Sequence, residues 1–206
     1  MIFSLFIKGG PIMFLLLLCS ILGVYIVAER FMFFNFHFKD SDKSIDFVKK
    51  KLMTNGVNDT LNILKTRRNI VLRSMYQAIR VSNKEHHEIS DGIKEAVYLQ
   101  IPKIERLMSV LSSIITVAPI LGLTGTVLGL MDIFNVISGG GIGDASLLSA
   151  GIAEALITTV TGLLIVVPFI FIFQYLTQQI EEYIMLIERT CYEIVSFCNN
   201  NSAVKP

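Results

Sequence analysis

Three long charge-free runs dominate the pattern of hydrophobic and polar positions along this chain. They cover residues 9–28, 107–131 and 155–180, and contain 20, 25 and 26 residues respectively. An α-helix rises about 1.5 Å per residue and the hydrocarbon core of a bilayer is about 30 Å thick, so each run is long enough to cross it as a helix. The pattern therefore predicts three transmembrane helices, the first of which begins at Pro11.

The segment between the first two runs is polar and predicts a soluble helical region. Ile45, Val48 and Leu52 indicate a short amphipathic helix that stops at Asn55-Gly56. A second helix is indicated by apolar residues at helical spacing, namely Leu61, Leu64, Leu72, Met75, Tyr76 and Ile79. From about Ser90 we expect a long helix that continues into the second span, with Pro102 as either a kink or a joint.

Aromatic and apolar residues also follow the first and third runs. Phe31 to Phe38 are mostly aromatic, which predicts an interfacial belt where the first helix leaves the lipid. The third helix is expected to continue past the membrane, because apolar residues recur on it at spacings close to a heptad: Phe173, Leu176, Ile180, Ile184, Ile187, Cys191, Ile194 and Cys198. This seam requires neighbours, either from the loop of the same chain or from copies of it.

Composition and charge support a membrane protein and limit its partners. The chain is 52% hydrophobic and 17% charged, whereas a soluble domain has about 25% charged residues. The net charge of +1 does not indicate a nucleic-acid partner. The sequence shows no phosphate-binding loop, metal-spaced cluster or paired cysteine framework, so we expect no cofactor, no metal and reduced structural thiols. His86-His87 is either a ligand pair or pH sensor, or a solvated surface pair, since adjacent residues face different ways on a helix.

The distribution of positive charge predicts the orientation. Of the 18 Lys and Arg residues, 15 lie between Arg30 and Arg106. The positive-inside rule therefore places this loop in the cytoplasm, with the N-terminus periplasmic and the C-terminus cytoplasmic. The expected segments are a first transmembrane helix (1–30), a cytoplasmic helical loop (31–106), a second transmembrane helix (107–137), a periplasmic hairpin (138–146), a third transmembrane helix (147–180) and a cytoplasmic C-terminal helix and tail (181–206).

Glu154 is the candidate for chemistry, because it stands at the head of the third charge-free run. Its distance from the preceding turn places it inside the membrane, where a carboxylate costs about 2.5–3.5 kcal/mol. Thr158 and Thr161 follow at i+4 and i+7 and share its face of the helix. A polar stripe led by an acid on an apolar spanning helix indicates an ion path.

The second span carries small residues that favour close helix packing. Gly122, Gly125, Thr126 and Gly129 lie within two turns, and Gly125 and Gly129 form a GxxxG pair. Packing alone explains the glycines, whereas the Thr126 hydroxyl is a candidate partner for a neighbour such as Glu154. Ser138–Asp144 predicts a hairpin turn, with Asp144 as a turn or cap residue, and hence antiparallel second and third spans.

Two sequence blocks resemble the MotA/TolQ/ExbB proton-channel family. Residues 118–129 resemble its AP-x-x-GL-x-GTV-x-G motif and include Pro119. Residues 151–156, with Thr159, Gly162 and Pro168, resemble its GIAEAL-x-x-T-x-x-G-x-x-x-x-x-P block. The three-span plan with a large loop after the first helix matches ExbB and TolQ rather than the four-span MotA stators.

The resemblance implies a fold, an assembly and a set of functional residues. The expected fold is an all-α membrane protein with three transmembrane helices and long cytoplasmic helical extensions, assembling as a homopentamer around a dimer of a single-span ExbD- or TolR-like partner. Glu154, Thr126 and Thr159 match the family's functional positions, and a TonB- or TolA-like protein is the expected recipient of the work. Thr159 lies about 140° around the helix from Glu154, so Thr158 stays a second candidate for the functional hydroxyl.

Two other classes of function remain open at this point. A non-conducting membrane scaffold would use Glu154 only to hold helices together through the threonines. A membrane-embedded hydrolase would need a second acid, and Asp132 is the available one near a span. Within the family reading, the sequence leaves open the ExbB-type or TolQ-type pathway and the choice between H⁺ and Na⁺.

Overall fold

The computed structural model describes residues 10–38, 41–67, 69–82, 86–138 and 145–202, and every element within these ranges is an α-helix. The helices are α1 (Ile12–Phe38), α2 (Ser41–Lys65), α3 (Ile70–Val81), α4 (His86–Tyr98), α5 (Ile101–Ile104), α6 (Met108–Ser138) and α7 (Ala145–Ser202). Among the described residues, three helical stretches are long and apolar enough to cross a membrane, and they fall in α1, α6 and α7. The predicted all-α class with three candidate spans is therefore confirmed.

The chain forms two compact units that share α1 and α7. The first, called the membrane unit, consists of the described parts of Met1–Glu29 and Leu107–Tyr175. The second, called the loop unit, consists of the described parts of Arg30–Arg106 and Leu176–Pro206. Each unit has its own buried residues and is described separately.

In the membrane unit, all three apolar helices meet in one core. Met13 and Leu16 of α1 pack with Ala118 of α6 and Val166 of α7. α1 also approaches α7 closely, since a Cβ added at Gly23 would lie 2.4 Å from the Phe169 ring. These contacts join the three spans into one packed unit.

Helices α6 and α7 run antiparallel, as predicted. Going along α6, the positions of Ala118, Gly122 and Gly129 meet α7 at progressively earlier residues, which are Gly162, Thr158 and Gly151. Residues 139–144 of the predicted turn lie outside the described residues. The predicted role of Asp144 as a turn or cap residue therefore stays a prediction. The register of the contacts alone establishes the antiparallel pair.

The loop unit confirms one predicted helix break and adds another. Gly56 interrupts α2 with φ 77° and ψ 179°, a left-handed φ that glycine adopts at little cost. The second predicted helix is wrong as a single element, because the chain leaves α2 at Lys65 and starts α3 at Ile70. Asn69 caps α3 by accepting hydrogen bonds from the backbone N–H groups of Val71 at 2.8 Å and Leu72 at 3.3 Å.

The expected long helix into the second span is divided into separate pieces. α4 ends at Tyr98, the short α5 carries Pro102 in its first turn, and α6 begins only at Met108. Leu107, between α5 and α6, has φ 65°, which is rare for a residue with a side chain. Pro102 therefore marks a joint rather than a kink in a continuous helix.

The aromatic end of α1 is partly a core element, which corrects the predicted interfacial belt. Phe34 and Phe38 are buried. The Phe38 ring stacks on Tyr183 with centroids 3.9 Å apart, and the Phe34 ring lies 5.1 Å from it. Two of the five phenylalanines of this stretch thus pack against the C-terminal half of α7 within the loop unit, while Phe31 and Phe36 stay exposed.

The heptad-like seam is buried within its own chain. Its buried members are Leu176, Ile180, Ile187, Cys191, Ile194 and Cys198. Lys49 of α2 forms an ion pair with Glu193, and the hydroxyls of Ser90 and Tyr192 lie 3.3 Å apart. Of the two neighbours left open by the sequence, the loop of the same chain covers the seam.

Candidate functional site

Thr158 lies at the centre of the contact between α6 and α7. Its side chain is 1% exposed. Its hydroxyl oxygen lies 2.8 Å from the carbonyl oxygen of Ala155 on its own helix and 3.2 Å from that of Gly122 across the contact, so its single proton is shared between the two acceptors. The Thr158 hydroxyl is therefore enclosed between two helices of one subunit.

The small residues of α6 make this approach possible. A Cβ added at Gly125 would lie 2.3 Å from the Thr158 hydroxyl oxygen, and one at Gly122 would lie 3.0 Å from the Thr158 carbonyl oxygen. On α7, a Cβ at Gly162 would lie 2.7 Å from the carbonyl oxygen of Ala118. Contacts this close leave no room for a larger side chain at Gly125. The predicted packing role of these glycines therefore has a partner helix within the chain, and Gly129 extends the contact to Ala155.

Thr159 reaches the same carbonyl from the side of the contact. Its hydroxyl donates to the Gly122 carbonyl at 2.9 Å, and the residue is only half-buried. The residue favoured by helical spacing and the residue favoured by the family motif thus share one acceptor. They differ in access, since Thr158 is enclosed and Thr159 lies at the edge of the contact.

Thr126 and Thr161 are half-buried and bonded to their own helices. Thr126 donates to the carbonyl of Leu123 at 2.6 Å, and Thr161 donates to the carbonyl of Ile157 at 2.8 Å. Glu154 belongs to α7 one turn before Thr158, and its side chain lies outside the described residues. The expected partnership between Thr126 and Glu154 therefore stays a prediction.

These hydroxyls have acceptor capacity that a passing ion or water can use. A threonine hydroxyl donates one hydrogen bond and keeps two lone pairs, so each bonded hydroxyl can still accept. Thr126, Thr159 and Thr161 combine that capacity with partial exposure. Thr158 is closed off, so we assign it to holding the helix pair together.

The two prolines of the family blocks lie inside the spans. Pro119 is in α6 and Pro168 is in α7. Pro119 adjoins Ala118, whose carbonyl faces Gly162. Proline is tolerated in transmembrane helices because neighbouring groups can satisfy the backbone that it leaves unpaired.

Outside the spans, the described side chains provide no cluster of three or more metal ligands. His87 lies 3.5 Å from Asp91 one turn along α4, and both side chains are exposed. The His86 side chain lies outside the described residues. The geometry of His87 is that of a solvated surface residue.

Arg30 is a buried residue whose structural role was not predicted. It is 1% exposed, and its Nη1 donates to the carbonyls of Ile104 at 3.0 Å and Lys103 at 3.3 Å. Its guanidinium also lies 4.4 Å from the centre of the Phe33 ring. Arg30 therefore binds the C-terminal end of α5, whereas the sequence shows it only as a charge just after an apolar run.

The chain is similar to known proteins over most of its length. The MotA/TolQ/ExbB proton channel family matches residues 48–189. A protein from Methanothermobacter thermautotrophicus, described as a biopolymer transport ExbB homolog, is 27% identical over 188 residues, covering 91% of this chain and 67% of that protein. ExbB-like protein 1 of Synechocystis is 30% identical over 178 residues, covering 83% and 68%. The Tol-Pal system protein TolQ of Haemophilus influenzae is 33% identical over 85 residues, covering 41% and 37%.

Proposed function

Because the chain belongs to the MotA/TolQ/ExbB proton channel family, we propose that it is the channel-forming subunit of an inner-membrane motor driven by an ion gradient. The observation that carries this proposal is the packed pair of α6 and α7. This pair presents half-buried threonine hydroxyls and includes Glu154 within a spanning helix. A carboxylate at membrane depth is expensive and is expected to serve an ion path.

The proposed assembly is a homopentamer around a dimer of a single-span ExbD- or TolR-like partner. One subunit with three spans cannot enclose another protein's helices, so several copies are required. The outer faces of α6 and α7 carry exposed apolar residues, such as Leu123, Val127 and Leu164, that are available to lipid, neighbouring subunits or the partner. We further propose a periplasmic N-terminus and a cytoplasmic C-terminus, on the positive-inside argument.

In the proposed mechanism, Glu154 alternates between protonation states as the partner moves. The half-buried hydroxyls of Thr126 and Thr159 are the candidates for this exchange. A charge that crosses 100 mV provides about 2.3 kcal/mol, which would be passed to the envelope through a TonB- or TolA-like protein.

The test is Glu154→Gln in cells that depend on this complex. Glutamine keeps the shape of the side chain but cannot take a charge, so we expect full-length, inserted protein that has lost envelope energy transduction. Glu181→Gln is the matched control, since it removes an exposed carboxylate from the same helix outside the apolar run. Full activity of Glu154→Gln in a growth or uptake assay would remove Glu154 from the mechanism.

The geometry also gives specific support to a non-conducting scaffold. The hydroxyls of Thr158 and Thr159 both donate to Gly122 within one subunit, which is a packing role. A scaffold predicts no ion flux when the partner is present, and a conducting subunit predicts flux. The hydrolase alternative gains no such support, because Asp132 is exposed on α6 and the described residues hold no group of three His, Cys, Asp or Glu side chains that could bind a metal.

A further inference from the structure

The bend in α2 at Gly56 is open to solvent. Gly56 departs from helical geometry, with φ 77° and ψ 179°. All residues from 53 to 59 are exposed, and among the described residues a Cβ added at Gly56 would meet nothing within 4 Å beyond its own stretch of α2. Exposed backbone without packed neighbours opens locally at a low free energy, so this bend is the part of α2 that we expect to open most readily.

Asn55 directly precedes this bend, and its side-chain amide has no hydrogen-bond partner among the described residues. Polar side chains on either side are engaged with the backbone. The Thr54 hydroxyl donates to the carbonyl of Lys50 at 2.9 Å, and the Thr60 hydroxyl donates to the carbonyl of Gly56 at 2.7 Å. The amide carbon of Asn55 is therefore accessible, next to a main-chain nitrogen whose own residue has no side chain.

This arrangement favours attack of the main chain on the side chain. An asparagine side chain is short enough to reach the backbone nitrogen of the following residue. The deprotonated nitrogen of Gly56 forms a bond with Cγ of Asn55, the bond from Cγ to Nδ2 breaks, and the amide nitrogen leaves as ammonia with the proton taken from the main chain. Water then opens the resulting succinimide at either of its two carbonyl carbons, which gives aspartate or isoaspartate. Glycine favours ring closure because no Cβ obstructs it and its backbone turns freely.

We propose that Asn55 is a site of spontaneous deamidation in the folded protein. The group modified is the side-chain amide, and water is the co-reactant. Each conversion adds a negative charge to α2, and the isoaspartyl product also adds a methylene group to the main chain at the bend. The proposal rests on the geometry of the loop unit and not on ion conduction, so a Glu154→Gln protein should deamidate equally.

The test is incubation of the purified full-length protein in a non-ionic detergent at mildly alkaline pH, followed by peptide mapping with mass spectrometry. The mass gain of an amide converted to an acid gives the deamidated fraction at each asparagine. Asp-N protease cleaves before aspartate but not before isoaspartate, so a second digest separates the two products. We expect Asn55 to convert first, at a rate that increases with pH because the attacking nitrogen must lose its proton.

Two asparagines of the same helix are matched controls within the same sample. Asn58 and Asn62 are exposed like Asn55, but Asp59 and Ile63 follow them where Asn55 is followed by glycine. They should retain their amides at times when most of Asn55 has been converted.

Two variants separate the role of glycine from that of exposure. A left-handed φ is unfavourable for alanine by a factor of about ten, so Gly56→Ala should slow the conversion of Asn55 about tenfold. Circular dichroism and limited proteolysis would check that this protein stays folded. Asn55→Gln should lose the modification, because a glutamine would have to close a larger ring.

Protein unfolded in guanidinium chloride provides the reference, since the same sequence is then free of α2. Retention of the Asn55 amide in the folded protein, under conditions in which the unfolded protein converts, would overturn the proposal and show that α2 protects the site. Conversion of Asn58 or Asn62 as fast as Asn55 would also overturn it, because the glycine would then have no role.

Discussion

In the loop unit the buried positions hold large apolar side chains, such as Leu64, Met75 and Ile187, whereas in the membrane unit the contact between α6 and α7 is made by Gly125, Ala155 and Thr158. The first arrangement removes apolar surface from water, which is the main driving force for folding of a soluble bundle. The second arrangement gains no such hydrophobic stabilisation, because the lipid around the helices is as apolar as their side chains.

This difference indicates what each unit tolerates. Within the membrane, helices associate through close van der Waals contact and hydrogen bonds, so the size of a residue matters more than its hydrophobicity. In the loop unit, burial of apolar area matters most, and a charge at a buried position is the most damaging change. The same substitution type should therefore have different effects in the two units.

The largest effect is expected from Ile187→Lys in the loop unit. Ile187 is fully buried, so the substitution places an unpaired ammonium in an apolar core and should cost about 4 kcal/mol or more. We expect the loop unit to unfold while the protein still inserts, as limited proteolysis of membranes would show. Met185→Lys, at an exposed position of the same helix, should change stability by less than about 0.5 kcal/mol. If the seam instead formed contacts between copies of the chain, which the sequence left open, Ile187→Lys would leave the loop unit folded and weaken assembly.

The next effect is expected from Gly125→Leu in the membrane unit. The new Cβ would lie 2.3 Å from the Thr158 hydroxyl oxygen, so α6 and α7 must separate. Overpacking of this kind costs about 3 kcal/mol. Thermal unfolding in detergent should show the loss. Thr124→Leu adds the same side chain at an exposed position one residue earlier, and similar destabilisation of the two proteins would refute the close contact.

A smaller effect is expected from alkaline pH on the loop unit. Burial, followed by the negative charge of Glu188, raises the pKa of the Cys191 thiol from 9.0 to about 12. Above pH 9 the unfolded chain loses this proton while the folded chain keeps it, so stability should fall as the pH rises from 9 to 12. The slope is about 1.4 kcal/mol per pH unit. Urea unfolding at pH 8 and pH 10 measures it, and Cys191→Ala should have a shallower pH dependence than wild type.

The smallest effect is expected from the two threonines that share the Gly122 carbonyl. Thr158→Val and Thr159→Val each remove one hydroxyl donor. Each should lower the free energy of unfolding by about 0.6 kcal/mol, a typical value for a hydrogen bond between membrane helices. The double variant should cost more than the sum, because each single variant leaves the other donor in place. Strict additivity in thermal unfolding would show that the two bonds are independent.

Much of the membrane unit was predictable because its determinants are local. A charge-free run identifies a spanning helix by length alone, and glycine spacing identifies the face that packs. The partner of that face was harder to predict. Helical spacing placed Thr158 with Glu154 and the family motif selected Thr159, but only the three-dimensional contact shows that both hydroxyls donate to Gly122.

The loop unit was less predictable because its packing depends on residues distant in sequence. The helix break at Gly56 could be predicted from the glycine itself. The break before α3 depends on the Asn69 cap, and in a sequence a capping asparagine predicts a helix end less strongly than glycine or proline does. The aromatic end of α1 has the composition of an interfacial belt, and its burial follows from Tyr183, far along the chain. Arg30 presents the same difficulty, since its acceptors are the carbonyls of Lys103 and Ile104.

The most direct test of ion conduction is proton flux through the purified protein and its single-span partner in liposomes. An imposed membrane potential would drive protons inward, and an internal pH-sensitive dye would report them. We predict flux for the wild-type complex and loss of that flux for Glu154→Gln, with the same protein inserted per vesicle. Equal flux in both, or no flux of either protons or Na⁺ in the wild-type complex, would contradict the assignment of this chain as a conducting subunit.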